Sequence, residues 1–141
     1  MGKKKPGKRK PEVELYSYGI YSPWDRQSRD LPELKAISTT IPVQPEVEFG
    51  YVLRIRGGKG YTLTYEINHP PIQDKNGEWM PSFTGDIIIP SNDWEFFLGD
   101  TVWEPFEEKA GQWILITRIQ GREVARKSFE LRLSSPDTTK T

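Results

Sequence analysis

Residues 100–133, DTVWEPFEEKAGQWILITRIQGREVARKSFELRL, decide the fold. Gly111 precedes Trp113, and an apolar run follows from Trp113 to Ile119. Gln120-Gly121 is a tight reversal of the kind that joins two antiparallel strands. The return strand ends on Phe129, Leu131 and Leu133. Trp113 and Leu115 face one way, Ile114 and Ile116 the other, so the first strand is apolar on both faces. Such a strand is central in its sheet, flanked on both edges and covered above and below. The return strand changes parity, because Val124 is even whereas Phe129 and Leu131 are odd. One extra residue near 126–128 lets both ends face the core, which predicts a β-bulge there. Upstream, the FEEKAG segment (106–111) reads as a single helical turn across the end of the sheets.

The same two-residue period runs through the rest of the chain. Val47, Phe49, Tyr51, Leu53 and Ile55 alternate with mostly polar residues, as do Tyr61, Leu63, Tyr65 and Ile67 after the Gly57-Gly58-Lys59-Gly60 turn. Each of these strands has one apolar and one polar face, as an antiparallel sheet over a core requires. A phosphate-cradling loop opens a helix, but these glycines stand between two strands, where positive φ in a hairpin is their use. Residues 14–21 read as a first strand with Tyr16, Tyr18 and Ile20 on one face. Residues 37–41 read as an edge strand closed by Pro42. Residues 83–89 form a further strand. Trp94, Phe96 and Leu98 define another, with a bend at Gly99-Asp100 and extended structure resuming at residues 101–103. His69-Pro70-Pro71 stops a strand, since proline donates nothing to a ladder. Residues 74–78, DKNGE, make a turn and lack the twelve-position ligand set of a calcium loop.

These readings combine into an all-β, immunoglobulin-like antiparallel β-sandwich of seven to eight strands with no long helix. The expected core comprises Phe49, Tyr51, Leu53, Leu63, Tyr65, Ile67, Trp103, Trp113, Leu115, Phe129 and Leu131. The folded domain spans residues 12–134, between a disordered basic arm (1–11) and a flexible tail (135–141).

Composition narrows the chemistry. The chain has 141 residues, no cysteine and one histidine, which excludes disulfides and thiolate metal sites. No apolar stretch approaches the roughly twenty residues of a membrane helix, and no apolar segment follows the N-terminal cations as in a signal peptide. A cytoplasmic location with no membrane contact is the expectation. The net charge is zero, yet Lys3, Lys4, Lys5, Lys8, Arg9 and Lys10 stand together without an acid. The remainder therefore carries fourteen cations against twenty acids, a basic arm on an acidic body. Such an arm offers weak, salt-sensitive contact to nucleic acid, opposed by the acids of the body.

No nucleophile, metal set or cofactor loop emerges, so no catalytic residue, metal or cofactor is assigned. A lone histidine without cysteine makes no usual zinc site, and His69 reads as a hydrogen-bonding residue at a strand end, with partner contact as the functional alternative. Asp100, Glu104, Glu107 and Glu108 cluster along the sequence, but on a turn rather than on the rigid elements that a glycosidase carboxylate pair needs. Trp24 and Trp79 sit in turn-rich segments and are candidate contacts for a glycan or a protein partner. The expected function is a non-catalytic binding or protein-interaction module. The alternatives are a carbohydrate-binding module using Trp24 and Trp79 and a nucleic-acid accessory protein using the arm. An exposed edge strand offers a route to self-association.

Four stretches resemble a bacterial family catalogued as domain of unknown function 3859: GIYSPWD (19–25), the run from FGYVLRIRG to LTYEINHPPI (49–72), LGDTVWEPFEEKAGQW (98–113) and AxKxF (125–129). The resemblance spans most of residues 15–133. It implies a small β-rich domain and assigns no reaction, ligand or catalytic residue.

Overall fold

The computed structural model describes residues 10–25, 27 and 30–133. Residues 1–9 of the basic arm and the tail from 135 onward lie outside them. Nine strands form two sheets among the described residues: β1 (Glu12–Tyr21), β2 (Leu34–Ala36), β3 (Thr40–Pro42), β4 (Glu48–Arg56), β5 (Thr62–Asn68), β6 (Phe83–Ile88), β7 (Asp93–Thr101), β8 (Gly111–Ile119) and β9 (Arg122–Arg132). One sheet has the order β2-β1-β4-β7, the other β3-β9-β8-β5-β6. The architecture is an immunoglobulin-like sandwich, one strand richer than the upper expectation because residues 34–42 divide in two. β2 pairs antiparallel with β1 in the first sheet, and β3 crosses to the second and pairs parallel with β9. Among the described strands that parallel edge is the one departure from an antiparallel design. The expected helical turn is a single 3-10 turn, Glu107–Lys109, and no helix among the described residues is long and apolar enough to cross a membrane.

β8 is central, between β9 and β5, which explains its two apolar faces. Trp113 is 2% exposed and meets Phe49 edge-on at 5.4 Å between ring centroids. Its indole Nε1 donates to the Lys109 carbonyl oxygen at 2.9 Å, so the ring's one polar atom is satisfied. The outward face of β8 is covered differently. Ile116 lies between Glu66 and Arg126 in register and is buried. The ion pairs Arg118–Glu66 and Arg126–Glu123, each 2.9 Å, close over that face, and their aliphatic stems exclude water. Arg118 holds the Glu66 carboxyl below the usual carboxylate range, first through its hydrogen bond.

Of the expected core, Phe49, Tyr51, Leu53, Leu63, Ile67, Trp113, Leu115, Phe129 and Leu131 are buried. Tyr65 is half-buried and packs on the core. Trp103 is a correction, being 53% exposed. Even-numbered residues of β7 face the core, so Val102 takes the buried position and Trp103 falls outward. The expected bend at Gly99-Asp100 is absent, and β7 runs unbroken to Thr101 against β4. The predicted bulge in β9 exists but sits earlier. Thr117 pairs Ala125 and Arg118 pairs Glu123, which leaves Val124 as the extra residue. Val124 and Ala125 therefore both turn inward, the parity change that the sequence demanded. β1 has its own bulge at Tyr16, between the pairs Leu15–Leu53 and Ser17–Val52. This corrects the expected face: Leu15, Tyr18 and Ile20 pack on the core while Tyr16 points out.

The sheets are also joined by a polar bond. Tyr51 on β4 and Thr117 on β8 share a buried hydrogen bond of 2.7 Å between their hydroxyls, and burial pushes the Tyr51 phenol well up. Tyr51→Phe leaves the Thr117 hydroxyl without that partner, and we expect a loss of about 1–3 kcal/mol in urea unfolding. A loss below about 0.5 kcal/mol would show that the bond is dispensable.

Candidate binding surfaces

Three of the stretches that carry the family resemblance meet on the outer face of the four-stranded sheet. Gly19, Gly50 and Gly99 stand side by side on β1, β4 and β7. A Cβ on Gly50 would overlap the Leu98 carbonyl oxygen and stand 2.6 Å from the Gly99 Cα. Beside this floor Tyr21, Val52 and Phe97 form a second small apolar cluster, with Trp24 and Leu31 packed against it. Trp24 meets Phe97 edge-on at 5.1 Å, and its Nε1 donates to the Asp30 carbonyl oxygen at 3.2 Å. Glu48, on the same face, is 1% exposed and accepts from Thr101 Oγ1 at 2.6 Å. Trp24 is thus a cover over the sheet, half-buried, rather than a ring presented to solvent.

Trp79 differs. It lies in the β5–β6 connection, bridged to Gln73, and is 66% exposed. Trp24 covers the four-stranded sheet, whereas Trp79 lies in a connection between two strands of the five-stranded one, and the structure does not assemble them into one platform. His69 Nδ1 lies 2.7 Å from the Pro70 carbonyl oxygen and Nε2 2.8 Å from that of Pro81. Its ring packs on Phe83 at 4.5 Å and on Trp113 at 5.8 Å. Both nitrogens face backbone oxygens, so His69 spans the base of the 70–82 loop and offers neither nitrogen to a ligand. The acids of the 100–108 segment do not converge: Asp100 accepts from the Thr101 backbone N–H at 2.8 Å, and Glu104 and Glu107 are exposed. No group of three or more His, Cys, Asp or Glu that could hold a metal occurs among the described residues.

Sequence reasoning missed the open side of β1. The bonds Val102 N–H to Val47 O and Gly57 N–H to Asn92 O show that odd residues of β4 bond β7. Even residues of β4 therefore bond β1, using Glu12, Glu14, Ser17, Gly19 and Tyr21. The backbone groups of Val13, Leu15 and Tyr18 point the other way. β2 reaches only Ile20 and Tyr21, so no described strand stands opposite residues 12–18 on that side. A groove of ≈ 330 Å³ follows this edge, lined by Leu15, Tyr16, Ser17, Tyr18, Leu34 and Ile37. Ile37 is 70% and Tyr16 50% exposed there. Arg54 caps the Tyr16 ring at 3.5 Å and Lys127 the Tyr18 ring at 3.9 Å. The sequence shows β1 as a strand, but which of its edges is paired depends on partners far along the chain.

A family model described as Domain of unknown function (DUF3859) matches residues 9–131. Among solved structures, the chain is similar to an immunoglobulin-like protein from Pseudomonas aeruginosa, with a TM-score of 0.66 and 21% identity over 86% of this chain and 97% of that one. It also aligns with an alkylpurine DNA glycosylase from Pseudomonas fluorescens bound to DNA containing an abasic-site analogue, with a TM-score of 0.42 and 12% identity over 88% of this chain and 31% of that one. No curated protein matches the sequence.

Proposed function

The chain belongs to the DUF3859 family, and from that premise we propose that it is a non-catalytic binding module that takes an extended segment of a partner protein along the open edge of β1. One observation carries this reading: among the described residues no strand pairs with residues 12–18 on the side where Tyr16, Leu34 and Ile37 expose apolar surface. An added strand satisfies the outward N–H and C=O groups, and the groove receives its alternate side chains. The occupant is a peptide segment rather than a second copy of this edge. The bulge at Tyr16 breaks the even hydrogen-bond spacing that long pairing between two identical edges needs.

The β7 edge is less suited to this role. Ser91 bonds Asp93 and Asp100 bonds the Thr101 N–H, which caps it at both ends. The carbohydrate reading has weaker support, because Trp24 is packed against Phe97 and Trp79 stands apart from it.

Selection of a displayed random-peptide library on the immobilised protein, followed by NMR titration with the enriched peptides, tests the reading. We expect amide shifts confined to residues 13–18 and 34–37, and a loss of binding of about tenfold or more in Ile37→Asp, equivalent to about 1.4 kcal/mol. Failure to enrich any peptide, or shifts centred on Trp79, would contradict it.

A further inference from the structure

The sandwich is open on one side in both of its sheets. β3 pairs with β9 at Glu130, Leu131 and Arg132, so among the described residues no strand stands beside residues 123–128 on that side of β9. Lys127 lies between this edge and the open edge of β1. It stands opposite Leu115 in register, and Leu115 is fully buried. Opposite residues of an antiparallel pair share a face, so Lys127 points inward, between the sheets. Its ammonium lies 3.9 Å from the centre of the Tyr18 ring, and Tyr18 lines the groove along β1.

Among the described residues no ion pair holds Lys127. The acids near it on β9 are engaged elsewhere: Glu123 pairs with Arg126 at 2.9 Å and Glu130 with Arg132 at 3.1 Å. The inner face of β1 offers Val13, Leu15, Tyr18 and Ile20, and no acid. Glu12 and Glu14 stand on its outer face, opposite Arg56 and Arg54, and Arg54 is already bonded to Glu95 at 2.9 Å. Along this edge the acids are therefore on the outer side of the sheet and the cation without an acid is on the inner side.

An inward charge at an open edge opposes indiscriminate pairing. A strand added beside β1 covers Lys127, and burying an ammonium without a partner is costly. A segment with a wholly apolar inner face meets that cost. One that brings a carboxylate to Lys127 gains a charge-assisted hydrogen bond instead. A second copy of β1 has no inner acid to offer.

We propose that the β1 edge selects an extended segment with an aspartate or glutamate on its inner face, beside Tyr18, where the carboxylate pairs with Lys127. This rests on the strand-addition reading and gives that site its selectivity. The same acid moved by one residue turns to the outer face, toward Glu12 and Glu14, so the requirement is one of parity and not of net charge.

Displayed peptide libraries, random apart from a central residue fixed as glutamate, glutamine or lysine, are selected on the immobilised full chain. The glutamate library enriches, and its clones bind about ten- to a hundredfold more tightly than their glutamine counterparts. Moving the glutamate by one residue within a clone removes the gain. Lys127→Met, which keeps an unbranched stem over Tyr18, abolishes the preference for glutamate, and Lys127→Glu turns it toward lysine. Equal enrichment of the glutamate and glutamine libraries, or a glutamate preference that survives Lys127→Met, overturns the proposal and leaves the β1 edge standing as a peptide site. If no library enriches, both readings fall.

Discussion

Gly50→Ala destabilises the domain by about 3 kcal/mol or more, or prevents folding outright. The added methyl has no flexible neighbour to displace. Its nearest atoms are the Leu98 carbonyl oxygen and the Gly99 Cα, both backbone of the adjoining strand, and Gly50 sits at φ +155°. Relief requires β4 and β7 to part, and with them the cluster of Tyr21, Val52 and Phe97 on the same face. Gly60→Ala is the informative contrast. Gly60 has φ +87°, and nothing lies within 4 Å of the place its methyl would take, so only conformational strain of about 1–2 kcal/mol applies. Urea unfolding of both variants separates the effects. Equal losses would mean that close approach across the glycine row matters no more than a turn's dihedral angle.

Trp113→Ala costs about 3–5 kcal/mol. The indole is wedged between the sheets against Phe49 and against His69 at the base of the 70–82 loop. Alanine leaves a void that the rigid strands β8 and β4 cannot close. The loss also frees the Lys109 carbonyl oxygen from its indole donor. Trp103→Ala, which removes the same side chain from an exposed position ten residues earlier, costs about 0.5 kcal/mol or less. If the two variants unfold at similar urea concentrations, Trp113 is not the inter-sheet anchor described here.

Much of this fold was legible because a half-buried strand imposes a period of two. Phe49 to Ile55 on β4 and Leu63 to Ile67 on β5 alternate without interruption, and the structure buries the flank that the pattern selects. Where one residue shifts parity, the pattern misleads. Trp103 is apolar and follows a strand, yet Val102 holds the inward position. Tyr16 fits the alternation of Tyr18 and Ile20, yet a bulge turns it outward. In β9 the sequence demanded an inserted residue but placed it beyond Ala125, because nothing in the pattern distinguishes Val124 from its successors.

The binding surfaces were less legible, for a topological reason. Gly19, Gly50 and Gly99 meet only through the pairing of β1, β4 and β7, which no local signal announces. His69, Trp24 and Trp79 drew notice by residue type. Hydrogen bonds and ring packing account for the first two, and Trp79 keeps its exposed ring.

The open edge of β1 is most directly tested by residue-resolved amide hydrogen exchange on the free protein. Glu14, Ser17 and Gly19 donate into the sheet and should exchange slowly, while Val13, Leu15 and Tyr18 exchange orders of magnitude faster. Uniform protection from Val13 to Gly19 would mean that this edge is already covered, and it would contradict the binding surface proposed for the module.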